Sequence, residues 1–213
     1  MTEQKTPILH PCVSLDLETS GLDVHEDQVF QIGMVLETGD LNTPPMSLPR
    51  VNFIVKPNLN KVMGNAYALW LNSKLLGAIA GTVNIEHEFP GAQIIEEDRV
   101  PSKINSVIEE FKSILAGRAA SFPDGKPQIL AKNGEKLDIP MLNNCGGHNW
   151  FKPLISHRSL DVGSLWAPFY GTNVSLKVIN KDLGLGDVTH DALKDALDNI
   201  VALRAAFKRF HNL

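Results

Sequence analysis

CVSLDLETSGL, residues 12–22, is the stretch of the sequence that indicates the fold. Apolar and polar side chains alternate along it up to Glu18, and successive side chains of a β-strand point to opposite faces of a sheet. The stretch therefore predicts a strand with one apolar face and one face that carries Asp16 and Glu18. Ser20 and Gly21 then favour a turn.

The hydrophobic pattern changes along the chain from successive strands to strands that alternate with helices. This order predicts an α/β fold whose mixed sheet is an antiparallel meander followed by β/α units, with flanking helices. The predicted strands after the first are 29–36, 51–55, 128–131 and 158–162, and the predicted helices are 62–79, 101–115, 176–183, 191–210 and one that begins near residue 139.

The composition predicts one globular domain over residues 1–213, because 43% of the 213 residues are hydrophobic and can form a full core. The segment around 56–100 is a less familiar insertion, and 81–100 is predicted to be a loop. No apolar run has the length of a membrane span, and Met1–Thr6 lacks the apolar core of a signal peptide. We therefore expect no membrane association, a cytoplasmic location, and thiols rather than a disulfide at Cys12 and Cys145.

The net charge of −4 and the isoelectric point near 6.0 are unusual for a protein that binds nucleic acid. An acidic total is less unusual for a metal enzyme. Carboxylates that hold divalent cations count as negative in the formal charge, while the metal-loaded site presents positive charge to phosphate. The total charge therefore excludes neither class.

The acids Asp16 and Glu18 are open to two interpretations. In a strand that is covered on both faces, carboxylates are costly unless they are paired or bind a metal ion, which would indicate a functional site. On an exposed edge strand, the same two acids would be ordinary solvated side chains.

The last predicted helix adds a third acid. Asp195 lies nearer the centre of the helix's apolar stripe than Asp191 or Asp198, so we expect Asp195 at the rim of the core. Asp191 and Asp198 are interpreted as solvated acids, and Asp191 also favours the helix N-terminus. His190, just before the helix, is either a surface or capping histidine or a catalytic one.

Three segments resemble the motifs of the DEDDh family of 3′→5′ exonucleases, in that family's order. Residues 13–22 are similar to the first motif, and His190 followed by Asp195 is similar to the third. LAKNGEKLD, residues 130–138, is similar to the second, which contributes one aspartate, here Asp138, at the start of a helix. The resemblance implies a ribonuclease H-like fold, which agrees with the predicted order of elements.

The resemblance also implies a two-metal-ion mechanism with Mg²⁺ or Mn²⁺. The implied metal ligands are Asp16, Glu18, Asp138 and Asp195. His190 would be the general base that takes a proton from the attacking water.

The implied substrate is the 3′ end of single-stranded DNA or RNA. Thr19 and Leu22 match family positions that contact the terminal nucleotide, although they could equally be a turn residue and a packed leucine. The choice between DNA and RNA, the substrate length and the oligomeric state stay open.

The second motif departs from the usual family pattern. Lys132 replaces a histidine, and Asn133 lies five residues before Asp138 instead of four, as in oligoribonucleases, which residues 158–165 also resemble. Whether Lys132 and Asn133 contact substrate is therefore open. Asp161 is predicted to close a strand and start a helix, or to lie in an outer layer around the site.

Two other functions compete with this interpretation. A pair of carboxylates also suits glycoside hydrolysis, but that function leaves Asp138, His190 and Asp195 unexplained. The chain could instead be a catalytically inactive module of the same fold that binds nucleic acid or protein, although all five candidate catalytic positions are intact. Tyr67 and Trp70 could stack a base, but core packing is the expected role of Trp70.

Overall fold

The computed structural model describes residues 7–58, 64–118 and 120–212, and its centre is a six-stranded mixed sheet. The strands are β1 (Cys12–Thr19), β2 (Val29–Glu37), β3 (Arg50–Lys56), β4 (Gln93–Glu96), β5 (Ile129–Ala131) and β6 (Ser159–Asp161). Across the sheet their order is β4-β3-β2-β1-β5-β6.

The pairing confirms the predicted mixed sheet. Strands β1, β2 and β3 form an antiparallel meander, while β5 is parallel to β1 and β6 is parallel to β5. Because β1 is paired on both sides, it is a central strand. The interpretation of Asp16 and Glu18 as acids of an exposed edge strand is therefore wrong.

Helices cover the sheet on both faces. They are α1 (Ala66–Leu71), α2 (Ser73–Ile79), α3 (Ile85–Glu88), α4 (Val100–Leu115), α5 (Asp138–Asn144), α6 (Val162–Tyr170), α7 (Leu176–Leu183) and α8 (Ala192–His211). No described helix has the length and apolar content that crossing a membrane requires.

Two predictions of secondary structure need correction, at 62–79 and at 81–100. The helix predicted over 62–79 is two helices, α1 and α2, that meet at Asn72, and residues 62 and 63 lie outside the described ranges. The helix predicted to start at Asp161 is α6, and it contains Pro168. The segment 81–100, predicted to be a loop, contains α3 and β4. Strand β4 has four residues, and only Ile95 is buried, so the local pattern is too weak to reveal it.

The core has a layer on each face of the sheet. On one face, the apolar side chains of β1 pack against α4 and α5. On the other face, which also carries Asp16 and Glu18, α6, α7 and α8 pack against the sheet. Cys12 and Cys145 belong to different layers and are not bonded to each other, as predicted.

Candidate active site

Three of the predicted metal ligands meet near the carboxyl end of β1. Asp16, Glu18 and Asp195 each offer a carboxylate oxygen, and these oxygens lie within 4.8 Å of one another. Asp16 and Glu18 share one face of β1, and Asp195 reaches them from the first turn of α8. Glu18 is 8% exposed and Asp195 is 4% exposed, so little water shields their charges. Among the described residues, this is the one group close enough to hold a metal ion.

Asp138, the fourth predicted ligand, lies beside this group. It is the first residue of α5, as predicted, and is buried. Its Oδ1 accepts a hydrogen bond of 3.1 Å from the backbone N–H of Leu17, which lies between Asp16 and Glu18 in β1. Asp138 is outside the three-residue group, but its charge acts on both Asp16 and Glu18.

Burial and mutual repulsion raise the pKa values of these acids. Burial, followed by the charges of Asp138 and Asp195, raises the pKa of Asp16 well above its ordinary range. Burial and the nearby acids raise the pKa of Glu18 to about 8. Burial also raises the pKa of Asp138 to about 7 and that of Asp195 to about 6. A divalent cation would relieve this repulsion, and oxygen donors suit Mg²⁺ or Mn²⁺.

Two residues of β2 bring the start of α8 against the sheet. Gly33 lies opposite Asp16, and a Cβ at position 33 would come within 2.3 Å of the Ala192 backbone. The Oε1 of Gln31 accepts a 3.1 Å hydrogen bond from the Ala192 N–H, and its Nε2 donates a 3.2 Å bond to Asp191. Sequence reasoning missed both residues. The signal that could have identified them is the presence of a glutamine and a glycine inside an otherwise apolar strand.

The three acids near the start of α8 have different roles. Asp195 lies at the rim of the core, as predicted. Asp191 is the N-cap, and its Oδ1 accepts a 3.0 Å hydrogen bond from the Leu193 N–H. The prediction that Asp198 is solvated is wrong, because it is 7% exposed and accepts a 2.7 Å hydrogen bond from Asn180 of α7. The helical period of α8 alone cannot show that α7 covers this side.

His190 lies exposed beside the acids, between the cleft that contains them and a neighbouring depression. Its φ of 53° lies in the left-handed region, which is uncommon for a residue other than glycine. The positive charge of a protonated His190 would lower the pKa of Asp195, so the two groups are electrostatic neighbours.

The acids open into a cleft of about 370 Å³. Leu22 is 76% exposed and Tyr67 is 68% exposed, so both side chains are available to a ligand. The prediction that Trp70 packs in the core is wrong, because it is 66% exposed on the short helix α1, which buries none of its residues. The cleft lining also includes Thr19, Asn72, Lys132 and His190.

Asn72 joins the helices α1 and α2 to the end of β1. It is buried, and its Nδ2 donates 3.1 Å hydrogen bonds to the backbone oxygens of Thr19 and Ala68. A hydrogen bond with Asn72 also offsets part of the increase in the pKa of Glu18. Sequence reasoning missed this residue, since nothing in its local pattern connects it with β1.

Asp161 caps α6, as predicted. Its Oδ1 accepts a 2.7 Å hydrogen bond from the Ser164 N–H, and its Oδ2 accepts a 2.8 Å bond from the Asn133 N–H. Partial burial acts to raise the pKa of Asp161, but hydrogen bonds from Asn133, Ser164 and Asn173 lower it to about 2. Asp161 is not among the described residues that line the cleft.

No family model and no curated protein matches the sequence. Solved nuclease structures do match the fold. Escherichia coli exonuclease I in complex with a dT13 oligonucleotide has a TM-score of 0.66 and 15% identity, and the match covers 94% of this chain and 42% of that chain. The nuclease domain of 3′hExo, a DEDDh family member bound to rAMP, has a TM-score of 0.56 and 12% identity over 94% of this chain and 92% of that one.

A third similar structure is cell-death related nuclease 4, with a TM-score of 0.56 and 12% identity over 94% of this chain and 64% of that one. The chain spans less than half the length of exonuclease I. Identities this low establish the fold alone. The chain therefore has the ribonuclease H-like fold of the DEDDh 3′→5′ exonucleases.

Proposed function

We propose that this chain is a metal-dependent 3′→5′ exonuclease that hydrolyses phosphodiester bonds at the 3′ end of single-stranded DNA or RNA. The observation that carries the proposal is the cluster of half-buried Asp16 with buried Glu18 and Asp195, beside buried Asp138, on the fold of DEDDh exonucleases. Burial of so many mutually repelling acids is costly unless cations bind them.

The carboxylates would hold two divalent ions, Mg²⁺ or Mn²⁺. Asp16 would contact both ions, since its carboxylate lies within 4.8 Å of those of Glu18 and Asp195 and the charge of Asp138 also acts on it. When bound, the ions would supply an activated water and positive charge near the leaving 3′-oxygen. The carboxylates must be ionised to bind them, so metal affinity should fall as the pH falls.

His190 would act as the general base. Its position beside Asp195 and at the mouth of the cleft allows its ring to accept a proton from the attacking water and release it to solvent. His190 also has a left-handed φ of 53°, and such conformations cluster at functional positions.

The cleft wall at Thr19, Leu22 and Tyr67 would hold the terminal nucleotide. Leu22 and Tyr67 expose apolar surface on which a base can stack, and Trp70 lies next to Tyr67 with 6.1 Å between ring centroids. Among the similar structures, exonuclease I was crystallised with dT13 and 3′hExo with rAMP. The proposal therefore includes both DNA and RNA as substrates.

The extent and location of the enzyme are further parts of the proposal. We propose that residues 1–213 act as one exonuclease domain, and that the protein is cytoplasmic. Limited proteolysis would test whether the chain is one domain. Localisation of the tagged full-length protein in the source cells would test the cytoplasmic location.

The test is digestion of end-labelled single-stranded DNA, RNA and dinucleotides with Mg²⁺ or Mn²⁺. We expect stepwise products from the 3′ end in the wild type and in Asp187→Asn, a control at an exposed acid. Asp195→Asn should lose at least about a hundredfold in rate. If the purified wild type binds strands but never hydrolyses them, the chain is the inactive module instead.

A further inference from the structure

A lysine of the second motif lies in the wall of the candidate active-site cleft. Lys132 follows β5 directly, and its side chain is only 17% exposed. Among the described residues that line the cleft, it is the one lysine or arginine. Its position is therefore different from that of a solvated surface lysine.

The fold places Lys132 beside Asp16. Strands β1 and β5 are parallel, with Val13 opposite Ile129 and Ser14 opposite Leu130. The same register, continued by two residues, brings position 132 next to Asp16 and on the same face of the sheet. The ammonium group thus belongs to the residue that directly follows the strand paired with β1.

Three oxygens hold the Lys132 ammonium in place. It donates a 2.9 Å hydrogen bond to the Oδ1 of Asn173 and a 3.0 Å bond to the Oδ1 of Asn133, and lies 3.5 Å from the Oδ2 of Asp161. Gly163 leaves the room for this arrangement, because a Cβ there would come within 2.7 Å of the Lys132 Nζ.

These contacts position the charge without neutralising it. The two shorter bonds go to neutral amides, and the single carboxylate partner is the most distant of the three oxygens. Asp161 is also engaged by the backbone N–H groups of Asn133 and Ser164. A fixed and incompletely compensated cation in a cleft is suited to binding an anion.

The order of strands indicates which part of a nucleic acid would meet this cation. Tyr67 lies on α1, which packs with α2 against β2 and β3, whereas Lys132 follows β5 on the opposite side of β1. A strand whose terminal base contacts Tyr67 and whose scissile phosphate lies at the acids continues toward Lys132.

We infer that Lys132 binds the phosphodiester next to the scissile one, on its 5′ side, and so positions the strand for cleavage. The inference rests on the proposed exonuclease function and adds a substrate-positioning residue to it. A lysine–phosphate contact carries no base specificity, so the effect is the same for every sequence.

The test uses single strands in which one phosphodiester is replaced by a neutral methylphosphonate. In the wild type, replacement of the second linkage from the 3′ end should raise the KM for removal of the first nucleotide about tenfold, with kcat nearly unchanged. Replacement of the fourth linkage should have a much smaller effect. This arm needs no protein variant and therefore does not depend on how a variant folds.

Lys132→Met should raise the KM of the unmodified strand by the same factor, and the second-linkage methylphosphonate should cause no further rise. The salt dependence of strand binding, measured with Ca²⁺, should weaken by about 0.7 in log–log slope. The control is Lys136→Met, which removes the same charge from an exposed lysine outside the cleft lining and should behave as the wild type.

Equal effects at the second and fourth linkages in the wild type would overturn the inference. A Lys132→Met variant that loses kcat at unchanged KM would also overturn it. That result would mean that the hydrogen bonds of Lys132 only support the structure around the acids. Failure of the proposed function gives a different result, because the wild type would then leave unmodified strands intact. In that case the inference about Lys132 would fail together with the proposed function.

Discussion

Replacement of Glu18 by glutamine should stabilise the metal-free protein at pH 8. The ordinary pKa of a glutamate is 4.5, and burial raises that of Glu18 to about 8. The folded protein therefore binds this proton more tightly than the unfolded chain does. Its contribution to the free energy of unfolding is complete below pH 4.5 and is lost as the pH rises through about 8. At pH 8 the loss amounts to roughly 4 kcal/mol.

Glutamine cannot ionise, so Glu18→Gln avoids this loss. For a chain of this size, roughly 4 kcal/mol corresponds to a Tm higher by about 8–16 °C. The assay is thermal unfolding followed by circular dichroism in EDTA at pH 5 and pH 8, with a much smaller difference between variant and wild type expected at pH 5. Glu110→Gln, at an exposed glutamate of α4, is the matched control and should change little at either pH.

Addition of Mn²⁺ at pH 8 should reverse the order of stability. The wild type gains stability because the metal binds only the folded state, whereas Glu18→Gln has lost an anionic ligand and gains less. A metal-free wild type whose Tm stays level from pH 5 to pH 8, together with a variant that is no more stable, would refute the reasoning. Glu18 would then be hydrated or already compensated, and the energetic argument for the metal site would fail.

Three other perturbations test separate parts of the site. With saturating Mn²⁺, the rate of hydrolysis by the wild type should rise between pH 6 and 8.5. His190→Asn should be at least about a hundredfold slower and should lack that rise. A flat wild-type profile would show that His190 is not the general base. Gly33→Ala should lower the free energy of unfolding in urea by about 1–3 kcal/mol and reduce activity, because its Cβ would collide with Ala192; unchanged stability would contradict this. Tyr67→Ala and Trp70→Ala should each change the free energy of unfolding by less than about 0.5 kcal/mol. Each should raise the KM for single strands about tenfold. A large loss of stability would instead indicate that these rings pack in the core.

Much of the architecture follows from local patterns. The alternation in residues 12–18 is sufficient to predict β1 and the shared face of Asp16 and Glu18, because side-chain direction in a strand has a period of two. The start of a helix at Asp138 and the order of strands and helices are also visible in the sequence. The weak point is the short strand β4, because it buries only one side chain.

The sequence by itself determined the acidic face of β1, the three motifs and the position of Asp195 near the core, since each depends on neighbours along the chain. Only the tertiary structure decided that β1 is central, that Asp138 bonds the backbone of Leu17, and that α7 covers Asp198 while nothing described covers Trp70. The physical reason is that the burial of a side chain depends on which elements pack over it. That packing is fixed by contacts between residues far apart in the chain, such as Gly33 with Ala192.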